Sequence, residues 1–196
     1  MKLQRDLTPR YFSITPIVVR GDKAATEERF DGNVLTLAID DTYEGVPLKM
    51  MELFVTIAAL QDGCGILKID DDTRVAPNAM MEPSQIPLLF GMADYMGVAV
   101  QGPMHDRMWH AGKCTQPAPD AYGKPMRAAW ARGALYALSG TALQRLAQYY
   151  MRFPGLLEGE TYEDKAVGDF LHACDIPITP SPLEAALGLN TSEQDR

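Results

Sequence analysis

The run Lys68-Ile69-Asp70-Asp71-Asp72 sets three carboxylates side by side at the end of a predicted strand, two positions after a lysine. Adjacent carboxylates repel one another, so such a cluster is stable either fully solvated or neutralised by a cation. Its oxygen atoms suit a hard ion, Mg²⁺ or Mn²⁺ bridging a diphosphate, and not a soft metal. Strand ends are where open α/β sheets bind ligands, which favours that chemistry; the alternative for the same residues is an acidic surface turn. Two other acidic motifs fail on spacing. A calcium hand needs glycine where this run has Val75, and a haloacid-dehalogenase pattern would need Thr or Val where it has Arg74.

A second acidic pair, Glu163-Asp164, opens a predicted helix that runs to Cys174 with Val167, Leu171 and Cys174 on one face. Helix-terminal amides favour a charged carboxylate there, so Asp164 is expected to be deprotonated at neutral pH, and the same preference makes the pair an ordinary acidic helix start. His105, His110 and His172 show no metal-ligand spacing, and His172 is expected to be partly buried in its helix. Cys64, Cys114 and Cys174 are too scattered for a disulfide framework or a thiolate zinc site and read as buried free thiols.

The elements that must position these residues follow from periodicity. An extended segment covers Phe12 to Val19, broken by Pro16, and a short polar helix is predicted over Ala24 to Phe30. Alternation over Val34 to Ile39 marks a strand, and apolar spacing from Pro47 to Gln61 marks a helix that Gly63 stops. The next strand, Gly65 to Ile69, delivers the acidic run. Strand, helix and strand from Val34 to Ile69 therefore read as one crossover unit of a parallel sheet. Beyond it come a short helix near Leu88 to Met96, an extended piece Gly97 to Gln101, a proline-rich loop Gln116 to Pro125 and an apolar extended segment Gly133 to Leu138. Ser139 then caps a helix over Thr141 to Arg152.

The chain has 196 residues, which suits a single domain over 1–196 with a polar tail from about residue 190. Its 18 basic and 26 acidic residues give a net charge of −8, which would repel a nucleic-acid phosphate backbone unless the basic residues cluster in space, so no nucleic-acid partner is expected. No apolar run reaches the ~20 residues of a membrane span, and a soluble, cytoplasmic protein is expected.

Four segments occur in order: Asp41-Thr-Tyr43-Glu-Gly-Val-Pro-Leu48-Lys49, Leu67-Lys68-Ile-Asp70-Asp71-Asp72-Thr-Arg-Val75, Ala131-Arg-Gly133-Ala-Leu-Tyr136-Ala-Leu138-Ser139 and Glu163-Asp164-Lys-Ala-Val167-Gly168. Their succession resembles the β-1,3-galactosyltransferase and N-acetylglucosaminyltransferase family, to which the Fringe enzymes are related, over roughly Ile17 to Ile176. Four ordered motifs are far more specific than one.

The resemblance implies an α/β fold of the GT-A type, a Rossmann-like, mostly parallel sheet flanked by helices. It also implies inverting, metal-dependent transfer of a hexose or N-acetylhexosamine from a UDP-sugar to a glycan or polysaccharide hydroxyl. Under it, Asp70 to Asp72 hold ribose and Mn²⁺ (or Mg²⁺), with Asp72 the direct metal ligand alongside Asp70. Lys68, Asp71, Asp41 and Lys49 fall among donor contacts, Gly133 lets backbone approach a sugar, and Asp164 is the general base. Trp109 and Trp130 either stack on a sugar ring or pack in the core. The chain departs from the family in four places: Val46-Pro47-Leu48 stands at the family's Asn-Leu-Thr stretch, and three more follow. If Ile17 to Gly21 is the family's second strand, the first has no counterpart and a partner segment or chain would complete the sheet; no histidine follows His172; and Lys165 replaces a valine. These departures motivate a second reading, a non-catalytic glycan-binding or partner-supporting module, with lumenal or membrane-associated placement if the domain is part of a longer protein. A two-metal phosphoesterase lacks the converging His and Asp ligands it would need.

Overall fold

The computed structural model describes residues 15–60, 63–75, 85–101 and 124–190. Phe12, Ile14, His105, Trp109, His110, Cys114, most of the proline-rich loop and the tail beyond 190 lie outside them.

The longest strand, β7 (Trp130–Leu138), organises the centre, and the others are best placed against it. Strand β4 (Ile66–Ile69) pairs antiparallel on one side, with Lys68 opposite Tyr136, and β6 (Tyr95–Val100) pairs antiparallel on the other. A short β8 (Thr179–Pro180) joins β6 in parallel, giving the order β4-β7-β6-β8. A second sheet holds β1 (Val18–Gly21), β2 (Arg29–Asp31) and β3 (Val34–Leu37) in the order β1-β3-β2. A third ladder joins β5 (Arg74–Val75) to β9 (Leu189–Asn190), so the end of the described chain returns beside the acidic run.

The sheets are mixed, which corrects the expected mostly parallel arrangement. Parallel pairing occurs only at β1–β3 and β6–β8 among the described residues, and β3 and β4 belong to different sheets instead of forming one crossover unit. Hydropathy reports how many faces of a strand are buried, whereas direction depends on pairings distant in sequence.

Side-chain alternation along β7 explains its central position. Tyr136 and Leu138 join the main core, with Leu35 and Leu37 of β3, Phe54 of α1 (Val46–Leu60), Leu143 and Leu146 of α3 (Gly140–Arg152) and Val167 and Phe170 of α4 (Glu163–Ala173). Leu135 and Ala137 face the other way, onto α2 (Ile86–Met92) and α5 (Leu183–Leu187). Helices thus cover both faces, and the core joins β3 to β7 although their sheets are separate.

Local chemistry sets the element ends. Ser139 caps α3, its hydroxyl accepting the Ala142 N–H at 3.1 Å while donating to Asp94. The helix predicted at Ala24 to Phe30 is instead a turn followed by β2, because Asp31-Gly32-Asn33 folds back into a hairpin with β3. Gly32 has φ +61°, the positive value that such a short loop requires and glycine supplies without strain. Two side chains differ from expectation, Cys64 and His172 being exposed, whereas Cys174 is buried as anticipated.

Candidate active site

The acidic run sits on a tight turn where β4 ends. The Asp70 N–H donates to the Ala134 carbonyl at 3.0 Å, extending the β4–β7 ladder by one bond, and the Thr73 N–H donates back to Asp70 at 3.2 Å. Asp71 and Asp72 are exposed, Asp70 is half-buried, and the buried Thr73 hydroxyl has no hydrogen-bond partner among the described residues.

One residue beyond that ladder, side chains satisfy the backbone of Gly133. Its N–H donates to Asp164 Oδ2 at 3.1 Å, and its carbonyl accepts from the ammonium of Lys68. The same ammonium donates to Asp70 Oδ1 and lies 3.8 Å from Glu163 Oε2. Glu163 Oε1 accepts from the Tyr136 hydroxyl at 2.5 Å. The Tyr95 hydroxyl accepts the Ala131 N–H at 2.6 Å, and its ring meets Tyr136 edge-on with centroids 6.2 Å apart. Lys68, Asp70, Gly133, Glu163, Asp164 and Tyr136 therefore form one connected network between β4, β7 and the start of α4.

Burial governs its electrostatics. The Lys68 side chain is 11% exposed, and burial works against its charge, but Glu163, Asp70 and Asp164 outweigh that and hold the ammonium above its ordinary range. Burial pushes Glu163 up to about 7, partly opposed by Lys68 and the Tyr136 hydrogen bond. Burial also raises Asp164, against the hydrogen bonds it accepts from the Lys165 and Gly133 amides and from Trp130. The amides at the helix start favour the charged form as expected, but desolvation exceeds them, so Asp164 is a stronger base than a solvated aspartate. Trp130 is fully buried, which settles it as a core residue and not a platform for a sugar ring.

Not every expected contact joins this network. Asp41 and Lys49 pair with each other at 2.5 Å, beside the end of β1, where Asp41 Cβ lies 3.1 Å from the position of a Cβ on Gly21. The Lys68 ammonium contacts Asp70 and the Gly133 carbonyl within this network. The sequence assigns no site role to Glu163, Tyr136 or Tyr95, and for Trp130 it leaves only sugar stacking or core packing. Tyr136 faces Lys68 across the ladder, a relation that appears only once the β4–β7 register is known. A separate buried cluster lies further along α4, where Lys165 pairs with Glu160 at 3.0 Å and Asp169 at 2.7 Å.

No group of three or more His, Cys, Asp or Glu side chains converges as a metal cage among the described residues. The donor set nevertheless fits a hard cation shared with substrate: Asp70 and Asp72 offer only oxygen, and Mg²⁺-like ions are commonly held by one or two carboxylates plus phosphate oxygens. The unpartnered Thr73 hydroxyl adds a polar group next to that turn.

Residues 20–182 match the galactosyltransferase family, and the chain belongs to it. The family is one of glycosyltransferases, acting on a sugar donor and a glycan acceptor. No curated protein matches the chain. No helix among the described residues is long and apolar enough to cross a membrane.

Proposed function

We propose that this chain transfers a hexose or N-acetylhexosamine from a UDP-sugar to a hydroxyl of a glycan acceptor, with inversion and with help from a divalent cation. The observation that carries this reading is the network itself. A carboxylate with raised basicity, Asp164, is held by the Gly133 N–H, and Lys68 links the same glycine to the acidic turn. Membership of the galactosyltransferase family supports it.

In this reading Asp70 and Asp72 would hold Mn²⁺ or Mg²⁺, which would supply stabilisation of the charge that builds on the departing nucleotide. Asp164 accepts the proton of the acceptor hydroxyl as that oxygen attacks the anomeric carbon and the bond to the nucleotide breaks. Gly133 and Trp130 fix the carboxylate's orientation, so little ordering is left for the reaction itself. Asp41 and Lys49, neutralising each other at the end of β1, form a second polar contact for the nucleotide side of the donor.

Calorimetric titration of UDP, with and without Mn²⁺, tests the donor site. Uptake that requires the metal and weakens at least about tenfold in Asp72→Asn is expected. No uptake in either condition would favour a module that keeps the fold without the chemistry.

A further inference from the structure

Lys68 is buried in an acidic site, yet both of its short contacts go to the protein itself, Asp70 Oδ1 and the Gly133 carbonyl. We propose that Lys68 is a positioning residue for transfer, tying the acidic turn to Asp164 through the backbone of Gly133 and not contacting the donor. This rests on the glycosyltransferase reading above and assigns the lysine a different part from the donor contact implied by the family resemblance.

Every buried N–H and C=O needs a partner; β4 serves Ala134, whose carbonyl accepts from Asp70, while Gly133 alternates to the β6 side, where the β6–β7 register breaks between Gly97 and Ala99. At Gly133 two side chains take over: Lys68 holds the carbonyl and Asp164 holds the N–H. In an extended strand both groups of one residue point to the same side, so a shift at either contact moves the other. Lys68 also lies 3.8 Å from Glu163, the residue before Asp164, which adds a second link to the start of α4. Its removal would free the Gly133 carbonyl and leave the buried Glu163 and half-buried Asp70 without their cation, letting Asp164 drift from the acidic turn. A displacement near 1 Å is enough to cost about 10²-fold in rate.

The glycine itself gives an independent perturbation. A Cβ on Gly133 would lie 3.3 Å from Asp164 Cβ and 3.4 Å from Glu163 Oε2, so Gly133→Ala pushes directly on the carboxylate pair. This variant keeps all charges, which matters because Lys68→Met leaves Asp70 and Glu163 without their cation.

The test measures steady-state transfer from a UDP-sugar and hydrogen exchange at the β7 amides, in the full chain. Lys68→Met and Gly133→Ala are each expected to lower kcat about 10- to 100-fold while the donor KM changes less than about threefold. Lys68→Met combined with Asp164→Asn is expected to be no slower than Asp164→Asn alone, since both act through one group. Exchange at the Gly133 amide is expected to rise about tenfold or more in Lys68→Met relative to Leu138, which lies in the paired part of β7. A large rise in donor KM, fully additive losses or unchanged Gly133 exchange would overturn the proposal. If Lys68→Met does not fold, Gly133→Ala decides by its split between kcat and KM. If the unaltered chain transfers no sugar, the function reading fails, and the exchange measurement still decides whether Lys68 clamps Gly133.

Discussion

The Tyr136 hydroxyl donates to Glu163 Oε1 at 2.5 Å, joining the central strand to the first residue of the helix that carries Asp164. Both partners are buried. A carboxylate removed from water in this way depends on each donor it retains.

Tyr136→Phe should therefore keep the edge-on packing with Tyr95 but leave one Glu163 oxygen without its donor. The expected loss is about 1–3 kcal/mol, read as a lower urea midpoint with an unchanged slope. An unchanged midpoint would mean that the bond contributes nothing net.

Stability should also fall as pH rises through the Glu163 titration. The folded state binds this proton up to about 7, whereas the ordinary value is 4.5, so between those values the folded chain holds more protons than the unfolded one. Unfolding free energy then decreases with pH across that window, and the loss is complete above it. Asp164 shifts in the same direction, while Lys68, Asp70 and Tyr136 are the other groups facing the site. Thermal midpoints compared near pH 5 and pH 8 should drop by several degrees more in the unaltered chain than in Glu163→Gln. Equal drops would contradict the assignment.

Two glycines should respond to alanine with opposite signs. On α4, a Cβ at Gly168 would lie 2.4 Å from Trp130 Cβ and 3.1 Å from its Cα, too close to relieve by a rotamer change. Gly168→Ala should force the helix off β7 and cost about 1–3 kcal/mol. On α2, a Cβ at Gly91 meets nothing within 4 Å, and Gly91→Ala should stabilise by up to about 1 kcal/mol. Denaturant midpoints of the two variants check both.

Lys165 offers a further contrast. Its side chain is 2% exposed and pairs with Glu160 and Asp169, so Lys165→Val, the residue expected from the family resemblance, would bury two carboxylates without their cation. Removing one member of a buried ion cluster costs roughly 3–5 kcal/mol, whereas replacing the whole cluster with apolar residues of similar volume is far milder. By calorimetry, Lys165→Val should be less stable than a variant in which Lys165, Glu160 and Asp169 are all replaced by apolar residues of similar volume.

What the sequence made legible has a physical pattern. Ser139 as a cap, the helix over Val46–Leu60 and the strand delivering Asp70 all depend on interactions within a few residues, and all are found. The mixed sheet, the separation of β3 from β4 and the pairing of β5 with β9 depend on chain segments far apart, which local periodicity does not encode. The site divides in the same way. Asp70 and Asp164 announce themselves as clustered carboxylates, but Tyr136 acquires a role only because the register sets it opposite Lys68. The helix predicted over Ala24 to Phe30 failed at a hairpin signal, Asp31-Gly32-Asn33, that outweighed weak helical spacing.

The most direct test of the account is transfer by Asp164→Asn in the presence of a UDP-sugar, Mn²⁺ and a glycan acceptor. An asparagine oxygen still accepts the Gly133 N–H, so fold and UDP uptake should persist while proton acceptance is lost. The account predicts a fall in kcat of about 10²–10⁴-fold with UDP affinity unchanged. Transfer at the unaltered rate in Asp164→Asn would contradict it.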